Sequence, residues 1–367
     1  MRSLVPVELS RNGRIVVGGR EYADLSSNDY LGLAGHPLIK GAVMAAMDRY
    51  GTSSSASRLL SGNLRIHHEL EEKIAAFKGK ESALLFSSGY QANTGLIGAL
   101  YRKGDALFSD RLNHASLVDG AALSGAKLFR FRHNDAGHLE SLLEANRGSF
   151  NEALVMTESV FSMEGDLAPL ADIVEIKERY GAALLVDEAH ATGIFGETGS
   201  GAVEAAGLAG RVEIIMGTFG KALGGFGAYV CSSPVIIERL VNLCRSFIYT
   251  TALPPAVVAG NIAAIDLVRT GSGRGKKLLA ASGKLREKLK SAGLQVRGSS
   301  QIIPVVLGDI ARTKTASEKL REAGFWVYPI RPPTVPEGES RLRFSVTSLL
   351  DGECLETLAR EAVLACI

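Results

Sequence analysis

The sequence predicts an α/β protein: a large domain built on a mostly parallel seven-stranded sheet, followed by a smaller α+β domain. Three observations lead there. At 367 residues the chain is too long for one ordinary core, so two domains are expected. Short apolar runs then alternate with amphipathic stretches through its middle, the pattern of strands laid parallel under covering helices. Finally, this alternation ends near Tyr249-Thr250-Thr251-Ala252-Leu253-Pro254-Pro255, and a different order of elements takes over.

In chain order, residues 1–39 carry a hairpin-like pair, 14–17 and 20–25, around Gly18-Gly19, and this segment is expected to join the small domain. The large domain is expected over 40–270. Its strands are read at 83–86, 106–109, 127–131, 154–158, 183–187, 213–216 and 227–231, with an amphipathic helix over 170–180 among the connections. A long helical region follows, bent at Gly271-Ser272-Gly273-Arg274-Gly275. The small domain, 271–367, reads as helix, strand (302–307), helix (313–323) and strands near Trp326 and over 342–346.

Composition removes several functions. Apolar residues make up 46% and charged residues 22%, with a formal net charge of +2, so no basic stripe points to nucleic acid. Cys231, Cys244, Cys354 and Cys366 have neither CxxC spacing nor His pairing, so reduced thiols are expected in place of a zinc site or a disulfide framework. The N-terminus lacks the apolar core of a signal peptide, and no apolar run is long enough to span a bilayer. A cytoplasmic protein without membrane partners is expected.

Open α/β sheets bind ligands beyond the carboxyl ends of their strands. Asp187 stands at such an end, in Leu184-Leu185-Val186-Asp187-Glu188-Ala189-His190. Lys221 follows another, in Gly217-Thr218-Phe219-Gly220-Lys221-Ala222-Leu223-Gly224-Gly225. Pyridoxal phosphate needs both groups: an amine to hold its aldehyde as a Schiff base, and an acid to keep its ring nitrogen protonated. A metal reading of Asp187, Glu188 and His190 lacks further ligands and ranks below this one. A Walker loop fails on spacing, and a Ser hydrolase finds no G-x-S-x-G elbow.

Other segments fit around this pair. Ser87-Ser88-Gly89-Tyr90-Gln91-Ala92-Asn93 opens a helix after a strand, where N–H groups and hydroxyls can hold a phosphate, although such turns are more often plain caps. Asn113-His114-Ala115-Ser116 can lay an imidazole on a flat ring, against the blander reading of a solvated loop histidine. Ser162, in Phe161-Ser162-Met163-Glu164-Gly165-Asp166, can reach a ring hydroxyl or simply sit in a turn.

Together with Ser26-Ser27-Asn28-Asp29-Tyr30-Leu31-Gly32-Leu33 and Ser61-Gly62, these segments resemble the α-oxoamine synthase family of fold-type I pyridoxal phosphate enzymes, from about Pro6 to near the C-terminus. The resemblance implies that Lys221 carries the cofactor, Asp187 binds its ring nitrogen and His114 stacks on its ring. Ser162 and His190 would contact its hydroxyl. Ser88, Gly89, Tyr90 and Thr218 would lie on the phosphate side, with Thr250 and Thr251 reaching the neighbouring subunit's cofactor in a homodimer. Arg331 would clamp an amino-acid carboxylate. Arg2, Asn28 and Thr334 would contact substrate.

The stretches 247–255 and 330–336 most resemble the branch that joins L-alanine to a pimeloyl thioester. Relatives using glycine or serine, and a catalytically silent scaffold, remain as alternatives. Two departures stand out: the loop before Ser61 is rich in serine where the family has glycine, and the family's leading helix is expected to be missing ahead of Arg2.

Overall fold

The computed structural model describes residues 4–271 and 273–367. The chain divides into two compact units, one formed by His36–Phe161 and Ala168–Ser272, the other by Met1–Gly35, Ser162–Leu167 and Gly273–Ile367. The first is built on a seven-stranded sheet in the order Ser82–Phe86, Ala228–Ser232, Ile214–Thr218, Ala183–Asp187, Ala153–Glu158, Ala106–Asp110, Lys127–Phe131. Only Ala228–Ser232 runs antiparallel to its neighbours. This is the mostly parallel sheet that the alternating pattern predicts.

Ala106–Asp110, Ala153–Glu158 and Ala228–Ser232 are buried along their whole length, so they read as continuous apolar runs. Leu84, Leu107, Leu154, Met156, Leu185, Ile214 and Val230 pack from the sheet against Leu96 and Ile97 of helix Gly89–Leu100 and Leu240 of helix Pro234–Leu243. Parallel strands bring their carboxyl ends to one edge. Glu158 there is in register with Asp187, and Asp187 with Met216.

A buried ion pair supports that edge from within. Lys78 ends helix Arg65–Lys78, and its ammonium donates to Glu188 Oε2 and to Thr192 Oγ1, each at 2.8 Å, and to the Ser200 carbonyl. Both charged side chains are at most 1% exposed. Burial would lower the Lys78 pKa, but the adjacent Glu188 carboxylate and Tyr229 together outweigh it and hold the ammonium charged beyond its usual range. Glu188 Oε1 also accepts the Val203 N–H at 2.8 Å, so the carboxylate is satisfied on both oxygens. Gly201 faces the same carboxylate so closely that a Cβ there would meet Oε2 at 2.3 Å.

The second unit holds two sheets. One joins Leu9–Arg11, Arg14–Val17 and Arg20–Asp24 to Phe325–Trp326, and the other orders Ile302–Gly308, Ser340–Ser345 and Pro329–Ile330. The hairpin turns at Gly18 and Gly19 with φ of 59° and 73°, the left-handed values that a two-residue loop requires. The short segment Ser162–Leu167 groups with this unit, whereas the sequence boundaries put it in the large domain. Its carbonyls explain the difference. Arg343 donates to the Ser162 carbonyl at 2.6 Å, Arg341 pairs with Glu164 at 3.0 Å, and the Gly165 carbonyl accepts from Ser299 and Ser300. Gly165 has φ of 66° and sits where a Cβ would lie 2.3 Å from the Ile302 carbonyl oxygen, so only glycine fits.

The Lys78–Glu188 pair leads to a stability prediction. Lys78→Met leaves a buried, uncompensated carboxylate and is expected to destabilise the fold by about 3–5 kcal/mol, read from the denaturant midpoint. Lys78→Met with Glu188→Gln, which removes both charges, is expected to recover part of that loss. Equal midpoints for the single and double variants would contradict it.

Candidate active site

Four residues from three segments of the chain meet at the carboxyl edge of the seven-stranded sheet. Asp187 is the last residue of strand Ala183–Asp187, and His190 lies in the turn after it. Lys221 follows strand Ile214–Thr218, and His114 caps helix Ala115–Ser124. They line a cavity of about 190 Å³ together with Gly89, Tyr90, Asn93, Ser116, Glu158, Ala189, Met216 and Thr218. The sequence-based strand at 213–216 runs on to Thr218, so Thr218 closes the strand instead of following it.

The amine of Lys221 is held at 2.7 Å from His190 Nε2, which aims the flexible side chain along one direction. Asp187 is 5% exposed; it accepts the Ala189 N–H at 2.9 Å on Oδ1 and the Asn93 amide at 2.9 Å on Oδ2. Among the described residues no cation forms an ion pair with it. A buried carboxylate in that condition calls for a positive partner.

His114 is fixed from both sides. Its backbone N–H donates to Glu158 Oε1 at 2.6 Å, and its Nδ1 accepts the Ser116 N–H at 3.2 Å. Burial, opposed by the Asp187 carboxylate and reinforced by the Lys221 amine, pushes the His114 pKa below the ordinary histidine value.

The other expected residues divide between the units. Ser88 is the N-cap of helix Gly89–Leu100 and accepts from Gln91 N–H at 3.2 Å, so its oxygen is engaged in the cap while Gly89 and Tyr90 reach the cavity. Thr250 and Thr251 line a separate, far tighter recess with Arg58, His67 and Phe247. Asn28, Ser162, Arg331 and Thr334 belong to the second unit. There Asn28 Oδ1 accepts from Tyr30 at 3.0 Å, and the Thr334 N–H donates to the Arg331 carbonyl at 3.1 Å. Arg2 lies outside the described residues.

Asn93 and Ser116 lie within the motifs above without an expected role, and Glu158 lies outside those motifs. Glu158 had a usable signal, since it ends a strand as Asp187 does. Among the described residues no group of His, Cys, Asp and Glu is placed to hold a metal ion, and no helix is long and apolar enough to cross a membrane.

Residues 20–361 match the model of the aminotransferase class I and II family. An 8-amino-7-oxononanoate synthase of Geotalea daltonii is 53% identical over 93% of this chain and 88% of its own length. One of Geobacter sulfurreducens is 50% identical over 97% and 91%. The chain belongs to the α-oxoamine synthases of that family.

Solved α-oxoamine synthases have the same fold. A serine palmitoyltransferase from S. paucimobilis, solved with pyridoxal phosphate and myriocin, superimposes with a TM-score of 0.94 at 32% identity, covering 99% of this chain and 92% of that one. An 8-amino-7-oxononanoate synthase from Francisella tularensis gives 0.80 at 29% identity, with 93% and 96% covered.

As an α-oxoamine synthase, the chain is a pyridoxal-phosphate-dependent acyltransferase. The cavity fits that cofactor on its own chemistry. It offers a primary amine at Lys221 that could hold the aldehyde, and at Asp187 a buried carboxylate that a protonated pyridine nitrogen would partner.

The environment of His114 leads to a pH prediction. Because the folded ring is harder to protonate than the unfolded one, its contribution to stability is present above the ordinary value near 6.5 and is lost as pH falls below it. His114 is expected to titrate below 6.5 when histidine ring protons are followed by NMR. A midpoint at or above that value would contradict the geometry.

Proposed function

We propose that this enzyme condenses L-alanine with a pimeloyl thioester, releasing carbon dioxide and the free thiol carrier and giving 8-amino-7-oxononanoate, a step of biotin biosynthesis. The observation that carries the reading is the meeting of the Lys221 amine, the His190 imidazole, the Asp187 carboxylate and the His114 ring in one cavity. The choice of alanine and the pimeloyl group is supported by relatives of that name at about half identity over nearly the whole chain.

When bound, pyridoxal phosphate supplies an electron sink for the carbanion formed at the amino-acid Cα. Lys221 would hold the aldehyde and, with its amine freed, would be the base that takes the Cα proton. His190 keeps its amine in place at 2.7 Å. Asp187 would keep the proton on the ring nitrogen, and His114 would stack on the ring. By the family resemblance, Ser162 and His190 would contact the ring hydroxyl, and Ser88, Gly89, Tyr90 and Thr218 the phosphate. Arg331 would bind the substrate carboxylate with a planar fork of donors, and the resemblance adds Asn28, Thr334 and Arg2 as expected substrate contacts. In the net reaction the amino-acid Cα would replace the thiol carrier on the acyl carbonyl, the carboxylate would leave as carbon dioxide, and a proton would return to Cα.

A homodimer is part of the same reading, with Thr250 and Thr251 serving the partner's cofactor. Exposed Leu60, Tyr90, Phe226 and Tyr249 give the first unit the apolar surface that such pairing would cover. A cytoplasmic setting also follows from the biosynthetic role. A second reading, condensation of serine with a longer acyl thioester, draws on the TM-score of 0.94 to a serine palmitoyltransferase, but the identity there is 32% against 53% for the first relative above.

Thiol release should be fastest with alanine plus pimeloyl thioester; faster release with serine or glycine would select the other branch. Lys221→Ala should abolish the cofactor's visible absorbance band bound to the protein and lower turnover by at least about 10²-fold. Arg331→Ala should raise the alanine KM more than it lowers kcat. A colourless wild-type protein without thiol release would favour a scaffold role.

A further inference from the structure

A line of hydrogen bonds runs from the Asp187 carboxylate to the His114 ring through two side chains that carry no assigned role. Its direction can be deduced one group at a time. A carboxylate only accepts, so the Asn93 side chain must turn its NH₂ group, 2.9 Å away, toward Asp187 Oδ2. The second hydrogen of that NH₂ points at Ser116 Oγ, also at 2.9 Å. The Ser116 hydroxyl lies 2.8 Å from His114 Nδ1 and donates to it if that nitrogen is an acceptor, which the next contact decides. The Ser116 backbone N–H, which can only donate, reaches the same Nδ1 at 3.2 Å.

His114 Nδ1 therefore faces two donors, and a neutral ring can satisfy them only by carrying its proton on Nε2. Asn93 shows what the arrangement costs. It is fully buried, and among the described residues its Oδ1 has no hydrogen-bond partner. Flipping the amide would put that oxygen against the Asp187 carboxylate, so the unpartnered oxygen is the lesser penalty.

We infer that Asn93 and Ser116 are positioning residues that transmit the orientation set by Asp187 to His114 and fix the His114 proton on Nε2, making this ring nitrogen a donor toward the cavity. The tautomer does not depend on the proposed reaction. The use of the donor does: it rests on the condensation described above, in which an oxygen of the thioester carbonyl becomes more negative as the carbanion attacks and gains from a nearby N–H.

The experiment uses the holoenzyme with histidine labelled with nitrogen-15, in long-range nitrogen–proton correlation spectra, with His114→Gln to assign the signal. In the wild type, His114 is expected to show an unprotonated Nδ1 and a protonated Nε2 at neutral pH. A protonated Nδ1 overturns the inference without any variant. Ser116→Ala removes the hydroxyl but keeps the backbone donor, and should move the His114 nitrogens toward a mixture of tautomers, whereas Ser116→Thr should restore the wild-type pattern. If Ser116→Ala fails to fold, Asn93→Ala is read in the same way. Unmoved His114 nitrogens in a folded variant overturn the positioning role.

Turnover is measured on the same samples. Ser116→Ala should lower kcat by about threefold to tenfold, the worth of one hydrogen bond, with the alanine KM little changed. A changed tautomer with unchanged kcat would refute the use of the donor in condensation while leaving the relay intact.

Discussion

The buried carboxylate of Asp187 is the constraint around which the first unit is arranged. An ionised oxygen pair at the end of an apolar strand is costly unless donors surround it, and the chain brings one from the turn it enters, at Ala189, and one from the first helix turns after a distant strand, at Asn93. Neither donor cancels the charge. In the function proposed above, the cofactor's ring nitrogen would do so, and the affinity of the site and the stability of its empty form would then be linked. Glu188, the next residue, solves the same problem in the opposite way, with Lys78 as a permanent internal counterion. Adjacent residues at one strand end thus separate the two tasks of holding the turn and holding the ligand.

The fold was legible because its signals are local. Strand runs such as 183–187 and 153–158 are continuous in sequence, and the hairpin at Gly18-Gly19 announces its own turn chemistry. The groups of the cavity that can be named from type alone, an amine at Lys221 and an acid at Asp187, were legible for the same reason. Asn93 and Ser116 were not, because an amide or a hydroxyl gains its meaning from what it faces, and their partners lie on other elements. Ser88 combines both readings of its motif, since its oxygen accepts the Gln91 N–H in the helix cap while its hydroxyl hydrogen is still available to donate. The segment Ser162–Leu167 changed its grouping because two arginines far along the chain bind its carbonyl and carboxylate oxygens, an interaction with no trace in local composition.

In the second unit the buried guanidinium of Arg341, 1% exposed, bridges Glu164 and Glu339. Such a pair is weak evidence of stability in itself, since desolvation consumes much of the attraction. Its value lies in geometry. With Arg343 on the Ser162 carbonyl and the close seat of Gly165, it leaves the segment around Ser162 little freedom to choose another backbone path.

The order of strands in the seven-stranded sheet bears on how the protein is made. Ser82–Phe86, the earliest of the seven to leave the ribosome, has one neighbour only, Ala228–Ser232, which is the last. Until that final strand emerges, the first presents an unpaired edge and the sheet cannot close. Parallel pairing among the intermediate strands can begin earlier, but completion waits for an insertion between two strands made long before it and just before it. Translation pausing downstream of Ser232 would therefore give the nascent chain time to finish its sheet, while pausing upstream would prolong the interval in which a chaperone is most needed.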